Sequence, residues 1–204
     1  LVNSSEVLNV VKDNRIQSIV HLGAMLSTPS DANPWAAYRV NADGTMNILE
    51  AARLFGVQKV VFTSSNAVYS GVTGAIDDTT LTKPGSLYGI TKLFGEHLGL
   101  FYKRRFDLDF RALRFCVVIG LGAKTKHMSQ YMAWMIEHAL EGKPFKVWVS
   151  EGTNNPWIYH KDAVRALQEI HDAPGESMKS RVYNLSGTSS TAIQFVEKVR
   201  AHIS

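Results

Sequence analysis

The chain has 204 residues, 45% hydrophobic and 20% charged, with a formal net charge of +4; that length supports one substantial domain or two small ones around a buried core, in an ordinary globular composition. No stretch is long and apolar enough for a membrane span, no signal peptide is read, and Lys and Arg are scattered apart from Lys103-Arg104-Arg105, so neither a membrane nor a nucleic-acid partner is expected. The single cysteine, Cys116, lies in an apolar run, which excludes an internal disulfide and points to a buried thiol in a reducing, cytoplasmic compartment.

In chain order the pattern alternates. Ser4 or Ser5 caps a helix that carries Val7, Leu8, Val10 and Val11 to about Asn14, and residues 16–24 read as a buried strand ending in His21-Leu22-Gly23-Ala24. Asn33-Pro34 supplies a cap and a first-turn proline for a helix running to Gly56. A strand over 57–65 follows, then a polar, glycine-bearing loop from Ser70 to Gly85, a helix to about Phe106 and a strand over 110–119. Beyond Gly120-Leu121-Gly122 the rhythm loosens: a helix from about Met128 to Leu140 and a strand over 145–149 read as a small appended region. Trp157-Ile158-Tyr159 and a helix from Asp162 to His171 return to the main rhythm, and a strand over 181–185 and a helix from Thr191 to Ile203 close the chain. Near-continuous apolar strands alternating with helices predict a parallel sheet covered on both faces.

The chemistry gathers where such a sheet binds ligands, outside the carboxyl ends of its strands. Tyr88 and Lys92 stand four residues apart at the start of a helix, so both side chains share one face. A positive charge beside a phenol favours its ionised form, which suits proton exchange with a substrate hydroxyl near neutral pH. In a chain with seven tyrosines one such spacing arises readily by chance, and a surface lysine beside a half-buried tyrosine explains it equally well. Three strand ends give the pair its setting: His21-Leu22-Gly23-Ala24, Thr63-Ser64-Ser65-Asn66 and Arg114-Phe115-Cys116-Val117. Small residues there admit a cofactor close to the backbone, and a serine hydroxyl can hold a substrate oxygen. The histidines show no metal-ligand spacing beside a carboxylate cluster, so no metal site is expected, and His21 reads as a satisfied strand histidine. Met128, Met132, Trp134 and Met135 read as core at helical spacing, with the lining of a substrate pocket as the alternative.

Taken together, the strand ending His-Leu-Gly-Ala, Val40-Asn41-Ala42-Asp43-Gly44-Thr45, Thr63-Ser64-Ser65-Asn66-Ala67-Val68-Tyr69, Tyr88-Gly89-Ile90-Thr91-Lys92 and Arg114-Phe115-Cys116-Val117-Val118-Ile119-Gly120 resemble the extended short-chain dehydrogenase/reductase family, the NAD-dependent epimerases and dehydratases. The resemblance covers essentially the whole chain and implies an α/β, Rossmann-like, doubly wound parallel sheet, N-terminally incomplete, in residues 1–120. It implies a small C-terminal substrate-binding region in 121–204, with 157–172 returning to the core. By this similarity Tyr88 is the acid/base, Lys92 lowers its pKa and binds the nicotinamide ribose, and Ser65 orients the substrate. Leu22, Gly23, Ala24, Asn41, Thr63, Ser64, Phe115 and Cys116 join Tyr88 and Lys92 as cofactor contacts. The implied cofactor is NAD, with NADP left open, and the implied assembly is a homodimer built on the helices over 34–55 and 86–106.

The departures are equally informative. The family's opening Gly-x-x-Gly-x-x-Gly turn, whose helix receives the pyrophosphate, has no counterpart, and Ser70-Gly71-Val72-Thr73-Gly74 lies in the active-site loop instead. The expectation is therefore of the downstream part of a longer chain, its first strand the family's fourth. Nucleotide-sugar epimerases usually place an asparagine where Val117 stands and an arginine where Asn155 stands, which weakens that reading because a diphosphate needs fixed donors. The segments 150–159 and 183–187 are similar to the L-threonine 3-dehydrogenase branch, which acts on a small polar alcohol. The alternatives are a nucleotide-sugar epimerase or dehydratase and a non-catalytic dinucleotide-sensing or scaffold protein.

Overall fold

The computed structural model describes residues 1–77, 79–122, 129–185 and 187–203. They form two compact units, one of residues 1–115 with 166–185 and one of 116–165 with 186–204.

The first unit is a parallel sheet in the order β1 (Ser18–His21), β2 (Lys59–Ser65), β3 (Asp109–Phe115), β6 (Val182–Leu185). Side chains alternate across it as the period of two demands. Val60, Phe62, Phe110 and Ala112 face a cluster that takes in Val11, Ile48, Leu49, Leu98 and Tyr102 from helices α1 (Ser4–Asp13), α4 (Gly44–Leu54) and α5 (Leu87–Phe106). Val61 and Leu113 face the other way, against Ala166, Leu167 and Ile170 of α7 (His160–Asp172). Helices therefore cover both faces, as expected of a doubly wound sheet. Arg111, 1% exposed on the α7 face, donates to the carbonyls of His171 at 3.1 Å and Ala173 at 2.7 Å while its other arm holds Asp109 at 2.7 Å. A buried guanidinium thus satisfies the orphan carbonyls at the end of α7.

Several boundaries differ from the sequence expectation, each for a local reason. Asn3, one residue before the serines, caps α1, its Oδ1 accepting from the Glu6 N–H at 3.3 Å. The strand expected over 16–24 is paired only from Ser18 to His21. A short helix α2 (Ser27–Ala32), unforeseen in the sequence, follows it. The helix expected from Pro34 to Gly56 is α3 (Pro34–Tyr38), a π-helical turn over Arg39–Asp43, and α4; Gly56, at φ 67, ends it. The strand expected over 110–119 divides at Cys116 into β3 and β4 (Val117–Ile119), which belong to different sheets.

In the second unit β4 pairs in parallel with β5 (Asn154–Tyr159), which pairs antiparallel with β7 (Thr188–Thr191). Helices α6 (Tyr131–Leu140) and α8 (Ala192–His202) supply its core, with Met132 and Met135 buried, as the core reading of that methionine stripe has it; Met128 lies outside the described residues. No strand forms over 145–149. Phe145, Val147, Trp148 and Val149 pack on this core without a ladder, Trp148 standing edge-on to Tyr131 at 6.1 Å and to Trp134 at 5.7 Å. Ring packing satisfies their apolar content in irregular backbone.

Helix α5 meets the sheet through glycine. A Cβ on Gly95 would lie 2.6 Å from the Phe62 ring, and one on Gly99 2.1 Å from the Phe110 ring. Gly99→Ala is expected to destabilise the protein by about 2 kcal/mol, the overpacking outweighing a gain of about 1 kcal/mol in helix propensity. Urea unfolding checks this, and Phe110→Leu in the same chain is expected to recover most of the loss.

Candidate active site

The last residues of β2 and the first turns of α5 form the site. Ser86 caps α5 by accepting from the Gly89 N–H at 3.2 Å, so the helix starts just before Tyr88 and both Tyr88 and Lys92 point along its sheet side. The Tyr88 phenol lies beside the Ser65 hydroxyl, close enough for Ser65 to favour its ionised form, and Ser65 Oγ accepts from the Ala67 N–H at 3.1 Å. Lys92, 3% exposed, donates from Nζ to the Thr63 carbonyl at 2.6 Å, with the ammonium 4.9 Å from the Phe62 ring centre and 5.6 Å from that of Tyr88.

Burial sets the electrostatics. It lowers the Lys92 ammonium from its usual 10.5 to about 8. It also raises the Tyr88 phenol above its ordinary value, the neighbouring Ser65 hydroxyl pulling the other way. The sequence reading gives Lys92 the task of lowering that pKa, whereas in this structure desolvation dominates and leaves the phenol in its acid form at neutral pH.

A hydrogen-bonded ring around the pair went unread in the sequence. Thr45 donates to the Asn41 carbonyl at 2.6 Å, so the 3.1 Å contact between His21 Nε2 and Thr45 Oγ1 needs the proton on His21 Nε2. Asn41, in the π-helical turn, accepts from the Met25 N–H at 2.7 Å and donates to the Met25 carbonyl and Thr91 Oγ1, both at 3.1 Å. Thr91 in turn donates to the Tyr88 carbonyl at 2.9 Å. The Asn41 amide thus ties the loop after β1 to the first turn of α5. In the sequence Asn41 was read as a cofactor contact through its family motif; its hydrogen bonds to Met25 and Thr91 were not.

His21 is 4% exposed, and burial, followed by the Lys92 charge, drops its pKa from 6.5 to about 4. A depressed folded-state pKa contributes stability that is present above pH 6.5 and lost as pH falls toward 4, about 3 kcal/mol in all. His21→Gln is expected to flatten that part of the urea-midpoint profile; an unchanged slope would assign it to another group.

The remaining expected contacts are distributed differently. Thr63 Oγ1 donates to the His21 carbonyl at 3.1 Å, and the Ser64 hydroxyl donates to Glu96 inside the sheet–helix layer. Phe115 sits opposite Ser65 in register, yet packs with the cluster on the α7 face. Cys116 falls in the second unit, a buried thiol whose pKa burial pushes up. Leu22 is exposed, and the bare backbone of Gly23 lies against the Leu1 side chain, where a Cβ would come within 2.5 Å. As a cradle for a dinucleotide, these residues fit its reactive end: an ammonium with donor capacity beyond Thr63 and a protonated phenol. They include no glycine-rich turn for the phosphates. Among the described residues no three potential metal ligands converge, and no helix is long and apolar enough to cross a membrane.

The model of the NAD dependent epimerase/dehydratase family matches residues 1–186. The chain belongs to that family. Its L-threonine dehydrogenase resemblance is equally plain: L-threonine 3-dehydrogenase of Sus scrofa is 30% identical over 198 residues, 95% of this chain and 52% of that protein. The GalE-like L-threonine dehydrogenase of Cupriavidus necator in its holo form superposes with a TM-score of 0.95 at 28% identity, over 99% of this chain and 67% of that one. A monomeric L-threonine 3-dehydrogenase from a metagenome gives 0.94 at 29% identity, over 100% and 67%. The chain spans about half the length of the curated L-threonine 3-dehydrogenases it matches. The structure places Ser65, Tyr88 and Lys92 of the sequence reading beside one another, at the end of β2 and the start of α5.

Proposed function

We propose that the protein is an NAD- or NADP-dependent oxidoreductase that acts on a secondary alcohol of a small polar substrate. The observation that carries this reading is the buried Ser65–Tyr88–Lys92 constellation: a phenol beside a serine hydroxyl, one helical turn from a desolvated ammonium that lies 5.6 Å from the phenol ring centre. The nicotinamide, when bound, supplies the hydride acceptor. Tyr88 exchanges the hydroxyl proton at its phenolic oxygen, Ser65 holds the same substrate oxygen, and Lys92 favours the ionised phenol and offers its remaining N–H donors to the ribose. The helix and strand ends that carry these groups fix them before substrate arrives, so the proton transfer needs little rearrangement.

The likeness to L-threonine dehydrogenases supports a 3-hydroxy amino acid as substrate, and Val117 and Asn155 weigh against a nucleotide sugar. NADH fluorescence titration followed by turnover with L-threonine and with UDP-sugars tests the reading. Net NADH production from L-threonine supports it. Interconversion of UDP-sugars without net NADH establishes the epimerase alternative, and dinucleotide binding without turnover on either establishes a sensor.

The single buried thiol supports a cytoplasmic, reducing compartment. A homodimer is supported by the outer face of α5, where Ile90, Phe94 and Phe101 are 51%, 44% and 46% exposed at helical spacing. Phe94→Glu is expected to convert dimer to monomer in light scattering after gel filtration; a wild-type protein that already runs as a monomer sinks the dimer.

A further inference from the structure

We propose that Glu96 is a positioning residue for the Tyr88–Lys92 pair, its carboxylate clamped by Ser64 and Arg114 so that the reactive face of α5 keeps its register on the ends of β2 and β3. The proposal rests on the oxidoreductase reading only for its effect on turnover. Tyr88, Lys92 and Glu96 stand at i, i+4 and i+8, on one face of the helix. That face touches consecutive residues of β2: Tyr88 meets Ser65, Lys92 the Thr63 carbonyl, and Glu96 Ser64.

The first two ties involve groups that must exchange a proton or turn to a substrate or cofactor, so they cannot also serve as fixed anchors. The third can. Glu96, 2% exposed, accepts from Ser64 Oγ, from Arg114 Nε at 2.8 Å and from Arg114 Nη2 at 2.7 Å. This is the bidentate geometry in which a guanidinium fork fixes a carboxylate in direction as well as distance. Arg114 Nη1 donates onward to the Tyr69 hydroxyl, which donates to Asn184 Oδ1 at 3.1 Å. The clamp therefore spans α5, β2, β3 and β6.

Apolar packing holds α5 on the sheet through Leu98 and Tyr102, and the clamp adds a directional tie to it. Gly95 and Gly99 lay α5 on the flat rings of Phe62 and Phe110, a contact that resists compression and offers little against sliding along the helix axis. Buried ion pairs add little net stability but do impose geometry, and here the geometry imposed is that of the proton-transfer pair.

Glu96→Gln turns an acceptor toward Arg114 into a donor while conserving volume. It is expected to lower kcat by at least about tenfold with KM within about threefold, as a small misplacement of reacting groups does. Competitive acetylation of Lys92 against pH, read by peptide mass spectrometry without substrate or cofactor, is expected to show its midpoint move up from about 8 toward 10.5 as water reaches the ammonium. Glu96→Leu combined with Arg114→Met removes both charges and is expected to regain thermal stability without regaining kcat or the Lys92 midpoint. Wild-type kcat and an unmoved midpoint in Glu96→Gln overturn the proposal, as does a double variant whose kcat returns together with its Tm. A moved midpoint in a protein without turnover on any alcohol keeps the clamp and discards the reaction.

Discussion

Tyr88→Phe is expected to lower turnover by about a thousandfold, the contribution of a positioned acid/base, while changing dinucleotide affinity by no more than about twofold. The substitution removes one oxygen and leaves the ring in place. Ser65 Oγ still accepts from the Ala67 N–H, and the loss is confined to the acceptor its O–H finds at the phenol, so stability should change by about 1 kcal/mol. Lys92 keeps its bond to the Thr63 carbonyl, and the face of α5 keeps its contacts with β2. The variant is thus a clean deletion of the proton-carrying atom. Steady-state rates beside NADH fluorescence titration check it: retained turnover removes Tyr88 from the chemistry, and turnover lost together with binding makes the phenol a cofactor contact first.

The pair at the start of α5 was legible in the sequence because its spacing is a helical repeat, and the strand before it was legible because β2 is apolar on both faces. What surrounds the pair was not. Asn41 sits in a π-helical turn, and a run from Pro34 to Gly56 with continuous helical periodicity gives no sign of one extra residue in a turn. Ser64 reads like Ser65 in sequence, yet adjacent strand residues face opposite ways and Ser65 is the last residue of the ladder: the Ser64 hydroxyl meets Glu96 inside the layer, while Ser65 lies beside Tyr88 at the rim. The break at Cys116 was hidden for a related reason. Residues 115–119 are uniformly apolar, and composition cannot show that the chain leaves one sheet at Phe115 and enters another at Val117. Glu96 and Arg114 lie 18 positions apart, a pairing that only the parallel register of β2 and β3 against α5 creates.

Lys92→Met is expected to abolish turnover and, at about pH 7, to make the fold more stable by roughly 1–2 kcal/mol. The native protein holds this ammonium in a site that lowers its pKa from 10.5 to about 8, which corresponds to about 3 kcal/mol of desolvation carried by the folded state at neutral pH. Against that stand the bond to the Thr63 carbonyl and the position over the Phe62 ring, both lost in the variant and together worth about 1–2 kcal/mol. Methionine fills most of the same volume with no charge to desolvate. The sign follows from proton binding: between about pH 8 and 10.5 the unfolded wild-type chain holds a proton that the native state has released, so wild-type stability rises through that window. The advantage of Met should therefore shrink from about pH 8 upward and be gone, or reversed by the lost hydrogen bond, near pH 10.5. Urea unfolding of both proteins at about pH 7 and about pH 10 measures it. A variant less stable than wild type at neutral pH would show that the ammonium is a structural donor to Thr63 above all; a more stable and inactive one shows a charge kept in the interior against the stability of the fold, which is where a reacting group is found.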